Sequence, residues 1–308
     1  MYEWNRLEEA EQYSALAMER EDMRPYAHIL VRAAIQASYV QQAHGRADEA
    51  VVILEQIQSR MDSPDLPLFI KRLETQKAYL SLVQGHSVLA REWLQSYGLR
   101  YNDEIRLYRV QEYLCLARAL GQCGHKAKAE RLLERLFRLV TSEDRLRDTI
   151  KVLILQSITL DLNGERDAAL LKLEHAITLA EPHGYIRSFI DEGERMKELL
   201  MHYSRLCESG FIKVSSKATL LYVRQLLQLL YVNGKGLSNP YPPIEPLTNR
   251  ETVILHSLLE GLSNKEIAAR FGITEATVKS HLFRLFGKLG VNRRSQAIAK
   301  VREWKLIK

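Results

Sequence analysis

Glycines recur at a fixed distance along the first half of the chain, and each begins the same pattern of small and apolar positions. The glycines are Gly45, Gly85, Gly124 and Gly164, which lie 40, 39 and 40 residues apart. An alanine follows each glycine by five residues, at Ala50, Ala90, Ala129 and Ala169. Apolar residues follow nine and twelve residues after each glycine, at Leu54, Leu94, Leu133 and Leu173 and at Ile57, Tyr97, Leu136 and Ala176.

This pattern predicts pairs of helices that are joined by glycine turns. Glycine suits the C-terminal cap of a helix because it adopts the left-handed conformation without strain. The small residue permits two helices to cross closely, and the later apolar positions share its face. A period near 40 residues is typical of an α-solenoid, which offers a groove rather than a catalytic pocket. The alternative is coincidence within an irregular helical bundle, and the matched offsets favour the solenoid.

A stretch rich in proline and glycine separates these repeats from the rest of the chain. The stretch NGKGLSNPYPPIEP, residues 233–246, contains two glycines and four of the eight prolines. Proline fixes φ and cannot continue a helix, so we expect an extended linker here. The chain is therefore predicted to be all-α, with a helical repeat domain at residues 1–232 and a second domain at residues 247–308.

The second domain has the start signals of closely spaced helices. Thr248 with Glu251 and Ser263 with Glu266 have the spacing of capping boxes, and Thr274 is a third N-cap candidate. We expect helices near residues 248–260, 263–271 and 274–289, and a fourth near residues 293–304. Only Gly272 and Ile273 separate the second helix from the third. So short a link forces a large crossing angle, as in a helix-turn-helix.

The third predicted helix has one apolar face and one small face. The apolar stripe consists of Val278, Leu282, Leu285 and Leu289, and the opposite face of Ala276, Ser280, Phe283 and Gly287. Lys279 and Arg284 flank the small face. Small residues let a helix backbone approach base edges, while cations contact phosphates or base acceptors. The pattern favours a helix that enters a DNA groove over an ordinary packed helix.

The charge of the chain is concentrated at its carboxyl end. Residues 247–308 contain 12 lysines and arginines against 5 aspartates and glutamates, a net charge of +7, whereas the whole chain carries +6. Residues 1–246 therefore sum to −1. Concentrated positive charge suits the phosphate backbone of DNA. The alternative, a solvated helical face, explains so large a surplus less well.

Motifs of catalysis, metal binding and membrane insertion are not found in the sequence. It has no phosphate-binding loop and no H-E-x-x-H motif, and Cys115, Cys123 and Cys207 lack metal or redox spacing. With no signal peptide and no apolar run long enough to span a bilayer, we expect a reduced cytoplasmic protein. We predict no cofactor, no metal and no enzymatic activity. We expect turn or capping roles for His44, His86 and His125, and a helix-start or surface role for Asp191 and Glu192.

Two resemblances to known families add to this picture. The stretch from Leu247 to about Lys300, LTNRE through GLSNKEIAARFGITEATVKSHLFRLFGKLGVNRRSQAIAK, resembles the LuxR-type helix-turn-helix domain. The region before it, with AITLAEPHGYIRSFIDEGERMKELL, resembles the TPR-like helical repeats of the large MalT-like regulators. The resemblance implies a bacterial transcriptional regulator that binds double-stranded DNA as a homodimer. It also implies that the fourth helix of the domain forms the dimer contact. It also implies that the repeats sense an effector or bind a protein partner.

The LuxR resemblance assigns roles to the third helix of the second domain. It implies a recognition helix with Lys279 as the DNA-contacting lysine and with Thr277 and Ser280 beside it. In the family a basic residue followed by Asn stands where this chain has Phe283 and Arg284. Phe283 then either contacts a thymine methyl or packs on a neighbouring helix or across a dimer. The predicted DNA-binding residues are Ser263, Asn264, Lys265, Thr274, Ala276, Thr277, Lys279, Ser280, Phe283, Arg284, Lys288, Arg293 and Arg294.

Two alternatives stay open at the level of the whole chain. MalT-like proteins carry an ATP-binding domain ahead of the repeats, and this sequence has none, so we expect either a fragment of a longer protein or a shortened relative. The rival function is a solenoid adaptor that binds a protein or peptide and uses its carboxyl-terminal helices only as a cap. Dependence of DNA affinity on salt distinguishes the adaptor from a DNA-binding regulator.

Overall fold

The computed structural model describes residues 1–19, 27–60, 67–85, 87–208, 217–233 and 249–289, together with residues 294, 297 and 298. Every regular element in these residues is helical, in agreement with the predicted all-α class. They belong to two compact units, Met1–Ile212 and Lys213–Lys308. The predicted linker lies outside the described residues, apart from Asn233 at the end of a helix. The division between the units falls before that linker.

The first unit is a series of helix pairs. In each pair a helix packs on the next along the chain, α2 on α3, α4 on α5, α6 on α7 and α8 on α9. The first helices of successive pairs also contact each other, so the pairs stack one on the next. The helices are α1 (Leu7–Met18), α2 (Ala27–Ala43), α3 (Ala47–Arg60), α4 (Pro67–Val83), α5 (Ser87–Ser96), α6 (Val110–Gln122), α7 (Lys126–Ser142), α8 (Leu146–Leu162), α9 (Arg166–Ala180), α10 (Arg187–Ile190) and α11 (Gly193–Glu208).

Glycine turns join the two helices of each pair, as the sequence predicts. The four repeat glycines have φ between 76° and 84°, in the left-handed region. At the first turn the Gly45 N–H donates to the Gln42 carbonyl at 3.0 Å, and the Arg46 N–H donates to the Gln41 carbonyl at 2.9 Å. These bonds satisfy carbonyls that the helix end leaves without a partner. The glycine spacing therefore marks real helix ends.

The small and apolar positions after each glycine lie inside the helix pairs. Ala50, Ala129 and Ala169 have no exposed surface, which is what close contact between the two helices of a pair requires. The leucines nine residues after these three glycines are also buried, as are all four residues at the twelfth position. Leu94 is half-buried, and the side chain of Ala90 lies outside the described residues. The predicted interior face is confirmed wherever the structure describes it.

The amino-terminal residues connect α2 with the end of the repeats. A 3₁₀ turn, Tyr2–Trp4, precedes α1. The Glu3 carbonyl accepts a hydrogen bond from the Ile186 N–H at 2.7 Å, and the Trp4 indole donates to the His183 carbonyl at 3.0 Å. The Tyr2 ring packs on Tyr39 of α2. Residues that are 179 and 183 positions apart in sequence thus meet within the first unit.

The acidic pair before Gly193 lies where it was expected in sequence, but its environment differs from the expected surface. Gly193 does begin α11. The Glu192 carboxylate, however, binds the Arg118 guanidinium at 2.7 Å, and Asp191 binds Arg187 and the Tyr2 hydroxyl. Only 8% of the Glu192 side chain and 14% of the Asp191 side chain are exposed. The surface role is therefore wrong, because both carboxylates have partners that are distant in sequence.

The histidines beside the glycine turns occupy the turns themselves. His44 precedes Gly45, and its Nδ1 lies 2.7 Å from the Arg46 guanidinium. His125 is the N-cap residue of α7, where its carbonyl accepts the first helical hydrogen bonds rather than its ring. His86 lies outside the described residues. The predicted turn and capping positions are confirmed for the two that are described.

Among its described residues, the second unit has one complete helix before the linker and three complete helices after it. The helices are α12 (Lys217–Asn233), α13 (Asn249–Leu259), α14 (Asn264–Phe271) and α15 (Glu275–Leu289). The last three agree with the predicted bounds to within about a residue. Of the fourth predicted helix, residues 294, 297 and 298 are described and helical, and the remainder lies outside the described residues. The proposed capping box of Thr248 with Glu251 also lies outside them.

In the described part of the chain, no helix is long and apolar enough to cross a membrane. The same residues hold no cluster of three or more potential metal ligands. The three cysteines are free, and Cys115 and Cys207 are buried.

Candidate nucleic-acid interface

Helix α14 begins with a complete capping box. The Glu266 N–H donates to the Ser263 hydroxyl at 3.3 Å, and the Ser263 N–H donates to the Glu266 carboxylate at 2.6 Å. Hydrogen bonding of the Glu266 carboxylate with the side chain and backbone of Ser263 holds its pKa below the usual value. The motif that the sequence predicted is thus confirmed, and it defines where α14 starts. It also engages Ser263 within its own helix, so a phosphate contact from this residue stays a prediction.

A single glycine turn joins α14 to α15. Gly272 has φ of 61°, and the Ile273 N–H donates back to the Ala268 carbonyl at 3.1 Å. A residue with a side chain would be strained in this conformation. The turn ends α14 abruptly and redirects the chain into α15, which is the geometry expected of a helix-turn-helix.

An apolar core holds α13, α14 and α15 together. The buried faces of the three helices meet around residues with no exposed surface, among them Ile254, Ile267 and Val278. Leu282 and Leu285 continue the buried stripe of α15, and the side chain of Leu289 lies outside the described residues. Ala297 of the fourth predicted helix joins the same core. On the opposite side of α15, the described residues at the leading end of the helix are exposed.

The first turn of α15 is capped by Thr274. Its hydroxyl accepts a hydrogen bond from the Thr277 N–H at 3.2 Å and lies 2.8 Å from the Thr277 hydroxyl. Such a cap contributes about 1 kcal/mol to helix stability. The cap also positions Thr277, which is exposed with Ala276 and Ser280 at the leading end of the helix.

Lys279 lies on the exposed side of α15 with its ammonium group in solvent. Its side chain is 67% exposed, and its Nζ is 4.0 Å from the Glu275 carboxylate. An exposed pair at this distance contributes between zero and about 0.5 kcal/mol, so the lysine is readily available to another anion. On α14, Lys265 is exposed and Asn264 is half-buried.

The guanidinium of Arg294 donates hydrogen bonds within its own unit. Its Nη2 donates to the Leu258 carbonyl at 3.2 Å and to the Leu262 carbonyl at 2.7 Å, at the carboxyl end of α13. A cation at this position satisfies carbonyls that the helix leaves free. Its predicted contact with a DNA phosphate stays a prediction. The side chains of Phe283, Arg284 and Lys288, and all of Arg293, lie outside the described residues.

A second candidate site, which the sequence interpretation did not include, lies in the first unit. A cavity of about 730 Å³ lies among the first helices of the four pairs, α2, α4, α6 and α8, and the amino-terminal turn. Its lining includes Arg32, Arg72, Gln111 and Lys151, one from each of these helices. Their spacing of 40, 39 and 40 residues equals that of the repeat glycines. The signal for this site was thus present in the repeat.

Comparison with known families matches both units. Residues 1–206 match the model described as the MalT-like TPR region. Residues 245–301 match the model described as bacterial regulatory proteins of the luxR family. The first match covers two thirds of the chain.

Proteins similar to this chain include transcriptional regulators. The HTH-type transcriptional regulator MalT of Vibrio cholerae serotype O1 is 27% identical over 96% of this chain and 34% of its own length. MalT of Vibrio campbellii is 25% identical over the same shares. The probable transcriptional regulatory protein SgaR of Hyphomicrobium methylovorum is 39% identical over 37% of this chain and 56% of its own length. The chain thus spans about a third of the length of the MalT relatives that it matches.

Proposed function

We propose that this chain, which belongs to the MalT-like transcriptional regulators and carries a LuxR-family DNA-binding domain, reads a DNA sequence by placing α15 in the major groove. The observation that carries this proposal is the exposed face of α15. One side of the helix is buried in the core of its unit, and the described residues of the other side, at the leading end, are small or polar and exposed. A helix with this division approaches base edges closely while remaining fixed to its domain.

The proposed contacts divide into base readout and phosphate binding. Thr277, Lys279 and Ser280 lie on the exposed side of α15 and supply donors for base edges or adjacent phosphates. Phe283 and Arg284 follow them in sequence, and we propose that they set the base preference. The proposed phosphate-binding residues are Ser263, Asn264, Lys265, Thr274, Lys288, Arg293 and Arg294.

We further propose that the chain binds DNA as a homodimer. The helix predicted near residues 293–304 then forms the contact between the two copies. A single module of this size makes few specific contacts, whereas two modules on paired half-sites make twice as many. The repeat unit then supplies the regulatory input by binding an effector or a protein partner. We propose that the protein acts in the cytoplasm without catalysis or cofactor, as a regulator of transcription.

Lys279→Ala tests the assignment of the recognition helix. We expect the variant to bind a selected duplex operator at least about tenfold more weakly than wild type, because it loses a charged donor to the DNA. The operator is obtained by selecting random duplexes with the wild-type chain, and affinity is measured by fluorescence anisotropy. The fold should be unaffected, since the Lys279 side chain is 67% exposed and, within the part of the chain that the structure describes, forms an ion pair only with Glu275.

Arg270→Ala is the matched control. Arg270, in the last turn of α14, is also exposed, and it forms an ion pair with Glu260, which directly follows α13. Both variants lose one positive charge, so a loss of general electrostatic attraction affects them equally. We expect the control to weaken binding much less than Lys279→Ala. Full operator affinity in a folded Lys279→Ala protein would contradict the proposed recognition helix.

A further inference from the structure

The cavity of the first unit is lined by polar groups at equivalent positions of the four repeats. Arg32 of α2, Arg72 of α4, Gln111 of α6 and Lys151 of α8 occupy the same place in successive helix pairs. Because the first helices of the pairs contact one another in order, these residues form a ladder of hydrogen-bond donors along one wall. A repeated donor at one face of a solenoid indicates a surface built to hold something rather than a random set of surface charges.

The carboxylates that line this cavity are already matched with arginines. Among the described lining residues, Glu3 binds Arg147 at 3.0 Å, Glu112 binds Arg109 at 2.6 Å and Asp148 binds Arg145 at 2.6 Å. Glu192 binds Arg118, and Asp191 binds Arg187. Each acid of the lining therefore has an arginine as its ion-pair partner.

Three cations of the lining are not matched. Within the described residues, Arg32, Arg72 and Lys151 have no carboxylate within 4.0 Å. The guanidinium of Arg72 makes only a long contact of 3.4 Å to the Tyr108 carbonyl, and the Lys151 ammonium lies 5.7 Å from the centre of the Tyr39 ring. The cavity thus carries surplus positive charge in a partly enclosed space, where an anion is attracted more strongly than in water.

Other donors of the same wall also lack acceptors. The Gln36 Nε2, one turn from Arg32 on α2, is buried and has no hydrogen-bond partner in the described residues. Burial and the charge of Arg147 lower the pKa of Lys151, although the carboxylates of Glu3, Asp148 and Asp191 act in the opposite direction. A buried amide donor and a partly desolvated ammonium are both stabilised by an acceptor with negative charge.

The amino-terminal turn gives an internal example of the chemistry that this wall accepts. The Glu3 carboxylate lies in the cavity lining and is bound by Arg147, the Ser188 N–H at 3.1 Å and the Ser188 hydroxyl at 2.8 Å. Burial alone would raise the pKa of Glu3, but Lys151, Arg147 and Ser188 together hold it below its usual value. The wall stabilises one carboxylate and retains donors for another anionic group.

We propose that this cavity is the binding site of a small organic anion whose carboxylate or phosphate groups are held by Arg32, Arg72 and Lys151. The volume of about 730 Å³ is that of a site for a small molecule. The donor-rich lining selects ligands rich in acceptors and discriminates against neutral ones. This proposal deepens the effector-sensing function proposed above and rests on it for its biological role.

Titration of the full chain with citrate and pyrophosphate tests the site directly. Both anions are compared with neutral erythritol at constant ionic strength, and hydrogen exchange measured by mass spectrometry locates the response. We expect saturable protection of peptides from α2, α4 and α8 with either anion and none with erythritol. Protection confined to α14 and α15, equal protection by erythritol, or no protection would each overturn the proposal.

Single substitutions assign the binding to the unmatched cations. We expect Arg72→Gln and Lys151→Gln each to weaken anion binding about tenfold, because each removes a charge-assisted hydrogen bond. Arg32→Gln is an exposed third variant in case either of the others alters the fold. The control is Arg91→Gln, which removes an exposed charge from α5 outside the cavity and should leave binding unchanged. Wild-type affinity in a folded Lys151→Gln or Arg32→Gln protein would contradict the assignment.

Operator binding in the absence of added anion keeps this test separate from that of the proposed function. If operator binding persists and anion protection fails, the cavity assignment is wrong and the DNA-binding function stands. If anion binding persists and Lys279→Ala leaves operator affinity intact, the recognition helix is wrong and the site stands.

Discussion

Asp191 is the residue at which pH is expected to affect the stability of the first unit. Its carboxylate binds Arg187 and accepts a hydrogen bond from the Tyr2 hydroxyl at 2.8 Å. Burial raises the pKa of Asp191 from 3.8 to about 6, although Arg187 and Tyr2 act in the opposite direction. The folded chain therefore holds this proton more tightly than the unfolded chain. The resulting stabilisation is complete below about pH 4 and is lost as the pH rises through 6.

Asp191→Asn removes this titration while keeping an oxygen acceptor at the site. We expect the free energy of unfolding of the variant, relative to wild type, to increase by about 2–3 kcal/mol between pH 4 and pH 7. Urea unfolding at several pH values measures it, and titrations common to both proteins largely cancel in the difference. Asp48→Asn on the exposed side of α3 is the control and should show a much smaller change. A difference that does not vary with pH would contradict the raised pKa.

The burial of Asp191 and its partners in the fold could not be predicted from the local sequence. Asp191 and Glu192 are predicted to lie at a helix start because Gly193 follows them, and α11 does begin at Gly193. Their partners, however, are Tyr2 and Arg118, 189 and 74 residues away. No periodicity in the sequence connects these positions, because they meet only when the amino-terminal turn packs on the end of the repeats. Burial of the pair is therefore a tertiary effect.

At the scale of the element, the glycine turns are the parts of the fold that the sequence specifies best. Gly124 ends α6 with φ of 82°, and the His125 N–H donates to the Leu120 carbonyl at 2.8 Å. The conformation, rather than a lack of space, requires glycine, since an added Cβ at Gly124 would meet no atom within 4 Å. Because this requirement is local to the backbone, it is visible in the sequence as a period.

Gly124→Ala and Gly121→Ala make the same substitution at a turn residue and within α6. Their comparison separates the effect of backbone conformation from the effect of the residue type. We expect Gly124→Ala to destabilise the chain by about 1–2 kcal/mol, because alanine is strained at positive φ. Gly121 lies within α6, also with open space around it, so Gly121→Ala should be neutral or stabilising by up to about 1 kcal/mol. Thermal or urea unfolding measures both. Equal effects of the two substitutions would contradict the role of Gly124 as a turn residue.

The helix-turn-helix elements were also predictable, because their signals are local. The Ser263 and Glu266 box, the Thr274 cap and the turn at Gly272 each depend on a few consecutive residues, and each is present in the structure. The cavity of the first unit was harder to predict. Its donors repeat with the period of the glycines, but polar residues at a period of 40 become a site only when stacked helices bring them to one wall. The apolar positions of the repeat indicate the helix pairs and carry no information about this wall.

At the scale of the whole molecule, the two units differ in the chemistry that they present. The net positive charge of the chain lies in residues 247–308, which carry +7. The first unit combines matched ion pairs with a cavity that has surplus cations. In the account proposed here, the carboxyl-terminal unit binds the DNA backbone and bases, and the repeat unit binds the effector. A regulator with this division should bind DNA through charge, whereas a helical adaptor should not.

The most direct test of this account is the salt dependence of DNA binding by the full chain. Affinity for the selected operator is measured by anisotropy between about 50 and 200 mM salt, the range over which contacts with six to ten phosphates change affinity by about 10³–10⁵. The account predicts that the logarithm of the binding constant falls linearly and steeply with the logarithm of salt concentration. Absence of binding across this range, or an affinity that does not respond to salt, would contradict it and favour the adaptor.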